Sequence, residues 1–201
     1  MKTFNTLILS FLLLGLNAAH AQVPDAILSL TPSSTTVAST SGTLTFDLSI
    51  SGLGDLSSKS LGDYDFDLSF DTSKLGFVSG LFGSELGFTV FDVMDDSTSG
   101  ILNLAQLSLE DPANLNTTQP GSFSLASLTF SFFDLLPGQS TAINFGTIYS
   151  LGDENGDPLT VSASGAVIIN PSNTVPVPEP MTLALMGLGA LGIRMTRRQK
   201  Q

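Results

Sequence analysis

Hydrophobic residues in the middle of this 201-residue chain recur at every second position, over one short run after another. In Tyr64-Asp65-Phe66-Asp67-Leu68-Ser69-Phe70, Tyr64, Phe66, Leu68 and Phe70 fall on one side of an extended backbone. Asp65, Asp67 and Ser69 fall on the other. A strand sends successive side chains to opposite faces, whereas a helix groups positions three and four apart. The pattern therefore fits a half-buried strand. Leu44–Ile50, Leu75–Leu81, Phe88–Val93, Ile101–Leu109, Phe123–Phe133, Ile143–Ile148 and Val161–Ile169 read the same way, and an earlier run starts at Ile27. Clusters of Gly, Pro, Asn, Asp and Ser separate them, and between residues 22 and 175 no stretch carries a convincing 3.6-residue period. The expected fold is all-β: an antiparallel β-sandwich or jelly roll of eight or nine strands.

Twelve of the 14 Phe lie in this middle and Trp is absent, so most of the rings are expected between two sheets. From Gln22 to Pro178 the chain carries 17 Asp and Glu against Lys59 and Lys74 only. That charge excludes a general nucleic-acid binder, which needs a basic patch for phosphate. No cysteine is present, so disulfides, thiolate catalysis and Cys-ligated zinc are excluded as well.

The two ends read as addresses. In residues 1–21, Lys2 precedes a Leu-rich run, and Ala19-His20-Ala21 places small residues before a cut at Gln22, as in a secretory signal peptide. Its removal would take away the chain's only His. At the other end, Pro178-Glu179-Pro180 precedes the apolar run Met181–Ile193, and Arg194, Arg197, Arg198 and Lys200 follow. Thirteen helical residues reach only about 20 Å of a bilayer core of about 30 Å. The run is thus a short transmembrane helix, and its basic end stays in the cytoplasm.

This tripartite tail resembles the PEP-CTERM sorting signal of Gram-negative bacteria. The resemblance implies an exosortase-type protease as partner, passage through the inner membrane, and a final place at the cell surface or in an exopolysaccharide matrix. A second resemblance lies in Leu61–Phe77, an aromatic-aspartate strand, a turn and a second strand, with Leu102-Asn103-Leu104-Ala105 and Leu125–Phe130 further on. These segments are similar to cohesin-like domains, nine-stranded jelly rolls related in fold to cellulose-binding modules; cohesins of cellulosomes bind dockerins. The expected division is 1–21 signal peptide, 22–172 cohesin-like domain, and 173–201 sorting signal.

Candidate chemistry is sparse. Asp63, Asp65 and Asp67 stand at alternate positions, followed by Asp71. A solvated strand face is the first reading, a Ca²⁺ site the second, and acid–base work on a glycan the third. Asp153-Glu154-Asn155-Gly156-Asp157 opens with calcium-loop spacing at Asp153, Asn155 and Asp157. Pro158 and Ser164 then break that pattern, so a turn pivoting on Asn155-Gly156 is preferred. Asp92, Asp95 and Asp96 read as solvated, and Glu110-Asp111-Pro112 with Asn114 as loop. With no His in the mature chain, a Ser or Thr nucleophile would have only Lys59 or Lys74 as base, so no catalytic residue is assigned. The expected function is that of an exported, non-enzymatic surface or matrix protein used for adhesion or assembly. The alternative is a module binding carbohydrate or a dockerin-like partner; a glycan hydrolase ranks last.

Overall fold

The computed structural model describes residues 23–172. The expected signal peptide with its Ala19, Ala21 and Gln22, and the sorting signal with Pro178, Glu179, Pro180, Arg194, Arg197 and Arg198, lie outside the described residues. The strands are β1 (Ala26–Thr31), β2 (Ser34–Thr36), β3 (Gly42–Ser51), β4 (Leu61–Phe70), β5 (Leu75–Phe82), β6 (Thr89–Asp95), β7 (Ile101–Ser108), β8 (Ser122–Phe132), β9 (Ser140–Asp153), β10 (Val161–Ser164) and β11 (Ala166–Ile169). One short helix, α1 (Pro112–Thr118), separates β7 from β8.

Two sheets form a sandwich. The first has the order β10-β1-β3-β8-β5 and the second β2-β11-β9-β4-β7-β6. Most neighbours are antiparallel, but β10 runs parallel to β1 and β11 parallel to β2. Both ends of the described residues therefore pass from one sheet to the other side by side. The expected single strand Val161–Ile169 is divided at Gly165, where a Cβ would stand 2.1 Å from the Ile143 carbonyl oxygen. That division, together with the three-residue β2, gives eleven strands among the described residues where eight or nine were expected.

The alternating residues meet between the sheets as expected. Phe46, Leu48 and Ile50 of β3, Tyr64, Phe66 and Leu68 of β4, and Leu128, Phe130 and Phe132 of β8 are all buried. Phe70, Phe77, Phe82, Phe123 and Phe145 pack against this core, while Phe88 and Phe91 are exposed. Phe130 is the hub of the phenyl packing: Phe46, Phe70 and Phe77 meet it edge-on at 6.4, 5.3 and 5.6 Å between centroids. In β8 the buried positions shift phase, because the register slips opposite Leu48 and Ser49. Leu125 and Ala126 are then both buried in succession, as a β-bulge permits.

The reading of Glu110-Asp111-Pro112 and Asn114 as loop is corrected at Pro112 and Asn114, which lie in α1. Asp111 caps the helix, its carboxylate accepting from the Ala113 amide at 2.9 Å, with Pro112 in the first turn. Seven residues with a single buried apolar side chain, Leu115, are too few for helical periodicity to appear. The cap and proline were the only local signal. Beyond the helix, buried Gln119 donates to the Leu61 and Glu85 carbonyl oxygens at 3.1 and 3.2 Å and accepts from the Leu61 amide. It ties the helix to the start of β4.

Candidate functional site

The outward surface of the second sheet follows from register. Asp63, Asp65 and Asp67 of β4 stand opposite Leu107, Ala105 and Asn103 of β7. On the far side of β7, Phe91, Val93 and Asp95 of β6 stand opposite the same three residues. Directly paired residues share a face. An acidic row therefore runs beside an apolar ledge of Leu107, Ala105, Phe91 and Val93. Phe91 is 47% exposed and Leu107 36%. Asp63, Asp65, Phe91, Ala105, Leu107 and Ser150 line a shallow depression of about 140 Å³ where row and ledge meet.

The acidic row is held by neutral donors. Asn103 Nδ2 donates to Asp65 Oδ1 at 2.8 Å and to Asp67 Oδ1 at 3.1 Å. Tyr149 Oη donates to Asp67 Oδ2 at 2.9 Å. That hydrogen bond, and then the charge of Asp67, raises the Tyr149 phenol above its ordinary pKa of 10.0, so it stays a donor. Gly152 leaves room for Asp63, since a Cβ there would come within 2.1 Å of Asp63 Oδ1. Asp67 is only 9% exposed, so this member of the ladder is not the solvated side chain that alternation alone implies. Like charges on one strand repel, and amide and phenol donors offset that repulsion here.

The two lysines among the described residues are engaged elsewhere. Lys59 pairs with Asp25 at 2.5 Å, and Lys74 Nζ donates to the Asp134 main-chain oxygen. The carboxylate of Asp25 is held down to about 2, chiefly by the hydrogen bond from Lys59 and then by those from Thr160.

At Asp153–Asp157 the chain turns. The Asn155 and Asp157 amides donate to Asp153 Oδ1 at 2.8 and 3.0 Å, and Gly156 adopts φ +82°. This is the preferred turn, and its first carboxylate is engaged by its own loop. Among the described residues no group of three Asp, Glu, His or Cys side chains is placed to hold a metal ion. Asp63, Asp65 and Asp67 are not such a group.

Two site residues were not legible in advance. Asn103 and Tyr149 become partners of the acidic row only through cross-strand register. Gln106, 3% exposed, accepts from Tyr64 Oη at 2.7 Å and donates to Asp92 Oδ1 at 2.7 Å. Burial raises the Tyr64 phenol far above its ordinary value, so it too remains a donor. Asp92 thus accepts a hydrogen bond from Gln106 while its side chain stays exposed, as its reading as solvated expects.

With that geometry in place, comparison with known proteins gives the class. The fold is cohesin-like. It is similar to the cohesin CaCohA2 from Clostridium acetobutylicum, with TM-score 0.57 and 21% identity, covering 76% of this chain and 94% of that one. It is also similar to the sixth cohesin of scaffoldin B from Acetivibrio cellulolyticus, solved in complex with a dockerin: TM-score 0.56, 20% identity, 72% of this chain and 98% of that one. A non-cellulosomal cohesin from the archaeon Archaeoglobus fulgidus matches with TM-score 0.54 and 15% identity, over 75% of this chain and 94% of its own. Residues 176–199 match the PEP-CTERM protein-sorting motif, which marks an exported protein sorted through the membrane. No curated protein matches the chain.

Proposed function

We propose that this chain is an exported, non-enzymatic protein of the cell surface or exopolysaccharide matrix, and that its sandwich holds a protein partner on the outward face of the second sheet. The observation that carries this reading is the ledge of Phe91 and Leu107 beside the row Asp63, Asp65 and Asp67. Exposed aromatic and aliphatic side chains next to fixed charge are what a partner's anchors and basic groups need. The acidic row lacks a cationic neighbour among the described residues, so a complementary surface would bring Lys or Arg. The cohesin solved with a dockerin is consistent with such a use of this fold. In this reading residues 1–21 are removed on export, 22–172 form the working domain, and an exosortase-type protease processes 173–201. The organism is then a Gram-negative bacterium in which the chain stays at the inner membrane only in transit.

The test is retention on immobilised mature protein of the same bacterium's secreted proteins and of its exopolysaccharide. The reading expects a stoichiometric protein partner, lost when Phe91→Asp and Leu107→Asp are combined. Retention of polysaccharide alone, equal on both proteins, would replace the protein partner by a glycan.

A further inference from the structure

The sandwich closes differently at its two margins. At one, β10 and β2 end the sheets with four and three residues, each tied to a parallel neighbour. At the other, β5 ends the first sheet and β6 ends the second. The edge β5 is eight residues long, LGFVSGLF, and carries neither charge nor proline. Soluble proteins usually blunt such an edge with charge, proline or shortness, because its outer amides and carbonyls can pair with another strand. Here the only such device is a register shift around Val78, and Val78 and Leu81 are 53% and 75% exposed.

Between β5 and β6 lies a groove of about 450 Å³. Leu81, Phe82 and Met94 give it apolar walls, and Asp92 and Gln106 a polar end. Gly80 makes room for Met94, since a Cβ there would stand 2.3 Å from the sulfur. The polar end is an exposed carboxylate, Asp92, anchored on the buried Gln106. Asp92 Oδ1 accepts from Thr89 Oγ1 at 2.8 Å and from Gln106 at 2.7 Å, with Tyr64 behind Gln106. Among the described residues no hydrogen bond reaches Asp92 Oδ2, and both lysines are engaged at other sites.

We propose that the β5 edge takes up an extended segment of a cationic partner protein as an added strand of the first sheet, with a Lys or Arg stem along Phe82 and Met94 and its charge at Asp92. Main-chain pairing supplies affinity in strand addition, and pockets for alternate side chains supply selectivity. A long basic side chain suits apolar walls that end in a carboxylate. The charge argues against a second copy of this chain as occupant, since each copy brings 17 Asp and Glu against two Lys between Gln22 and Pro178. This site uses the face of β6 opposite Phe91, so it goes beyond the partner face proposed above and does not depend on it.

The test uses the full chain in mild detergent and two labelled peptides of alternating Thr and Val, one with a central Lys and one with a central Glu. Fluorescence anisotropy is expected to give binding of the Lys peptide, with the Glu peptide roughly three- to tenfold weaker. Asp92→Asn keeps the acceptor for Thr89 and Gln106 and should remove that difference together with its salt dependence. Leu81→Lys should abolish uptake of both peptides, Ile27→Ser at an exposed position of β1 should leave both unchanged, and hydrogen exchange should slow at Gly80–Phe82. Equal binding of the two peptides to the unaltered chain would overturn the proposal. So would protection elsewhere, or self-association of the chain through β5 in place of peptide uptake. The peptide comparison on the unaltered chain stands even if a variant fails to fold.

Discussion

Replacing Phe66 by Ala probes whether alternation on β4 sets the core. Phe66 is fully buried, its ring 5.4 Å from that of Tyr64 and 5.6 Å from that of Phe145. Transfer of one such side chain from water is worth about 1.5–3 kcal/mol. The space left behind adds to this, because neighbouring strands are pinned by their ladders and close in only partly. Phe→Ala in a core costs about 3–5 kcal/mol in total. The assay is urea unfolding of residues 22–174, followed by far-ultraviolet circular dichroism, with Phe91→Ala as companion. Phe91 is 47% exposed, and its loss should cost less than about 1 kcal/mol. Both variants should keep the denaturant slope of the parent, so that midpoint shifts report stability. A Phe66→Ala cost below about 1 kcal/mol, or equal costs at the two positions, would refute the assignment of faces on β4.

Gln119→Ala should cost about 1–3 kcal/mol in the same assay, because the Leu61 amide and carbonyl lose their buried partner. A neutral result would remove the tie between α1 and β4. Stability should fall in acid partly through Asp25. Its carboxyl is lowered from 3.8 to about 2, so its contribution is full above pH 3.8 and lost as pH drops through about 2. Asp25→Asn should flatten the stability profile across that window, and an unchanged profile would show that the Lys59 contact is idle. Calcium or a chelator should move Tm by less than about 1 °C, since Asp153, Asp65 and Asp67 already bind amide or phenol donors. A larger rise, removed by Asp67→Asn or Asp153→Asn, would restore the ion-binding alternative.

The core strands were legible because their chemistry is local. Tyr64, Phe66 and Leu68 alternate with Asp65, Asp67 and Ser69 whatever the strand pairs with, so the inward face could be read before any partner was known. What alternation cannot carry is the third dimension. Val161–Ile169 reads as one strand in the sequence, yet it divides at Gly165 and passes from one sheet to the other. Short α1 offers one buried Leu115, too little to register as a period. The acidic row was visible as a row, but its meaning depended on Asn103 and Tyr149, which are 36 and 82 positions from Asp67. Likewise the apolar ledge exists only because Phe91 and Leu107 meet across β6 and β7.

The central claim, that the second sheet's outward face is where this protein meets its partner, is tested most directly by photo-crosslinking in living cells. A photoreactive residue would replace Leu107 in one strain and Ile27, an exposed residue on β1, in another. The account predicts a discrete protein adduct from position 107, absent from position 27 and lost when Phe91→Asp is added. Adducts that form equally from both positions, or from position 27 alone, would contradict it.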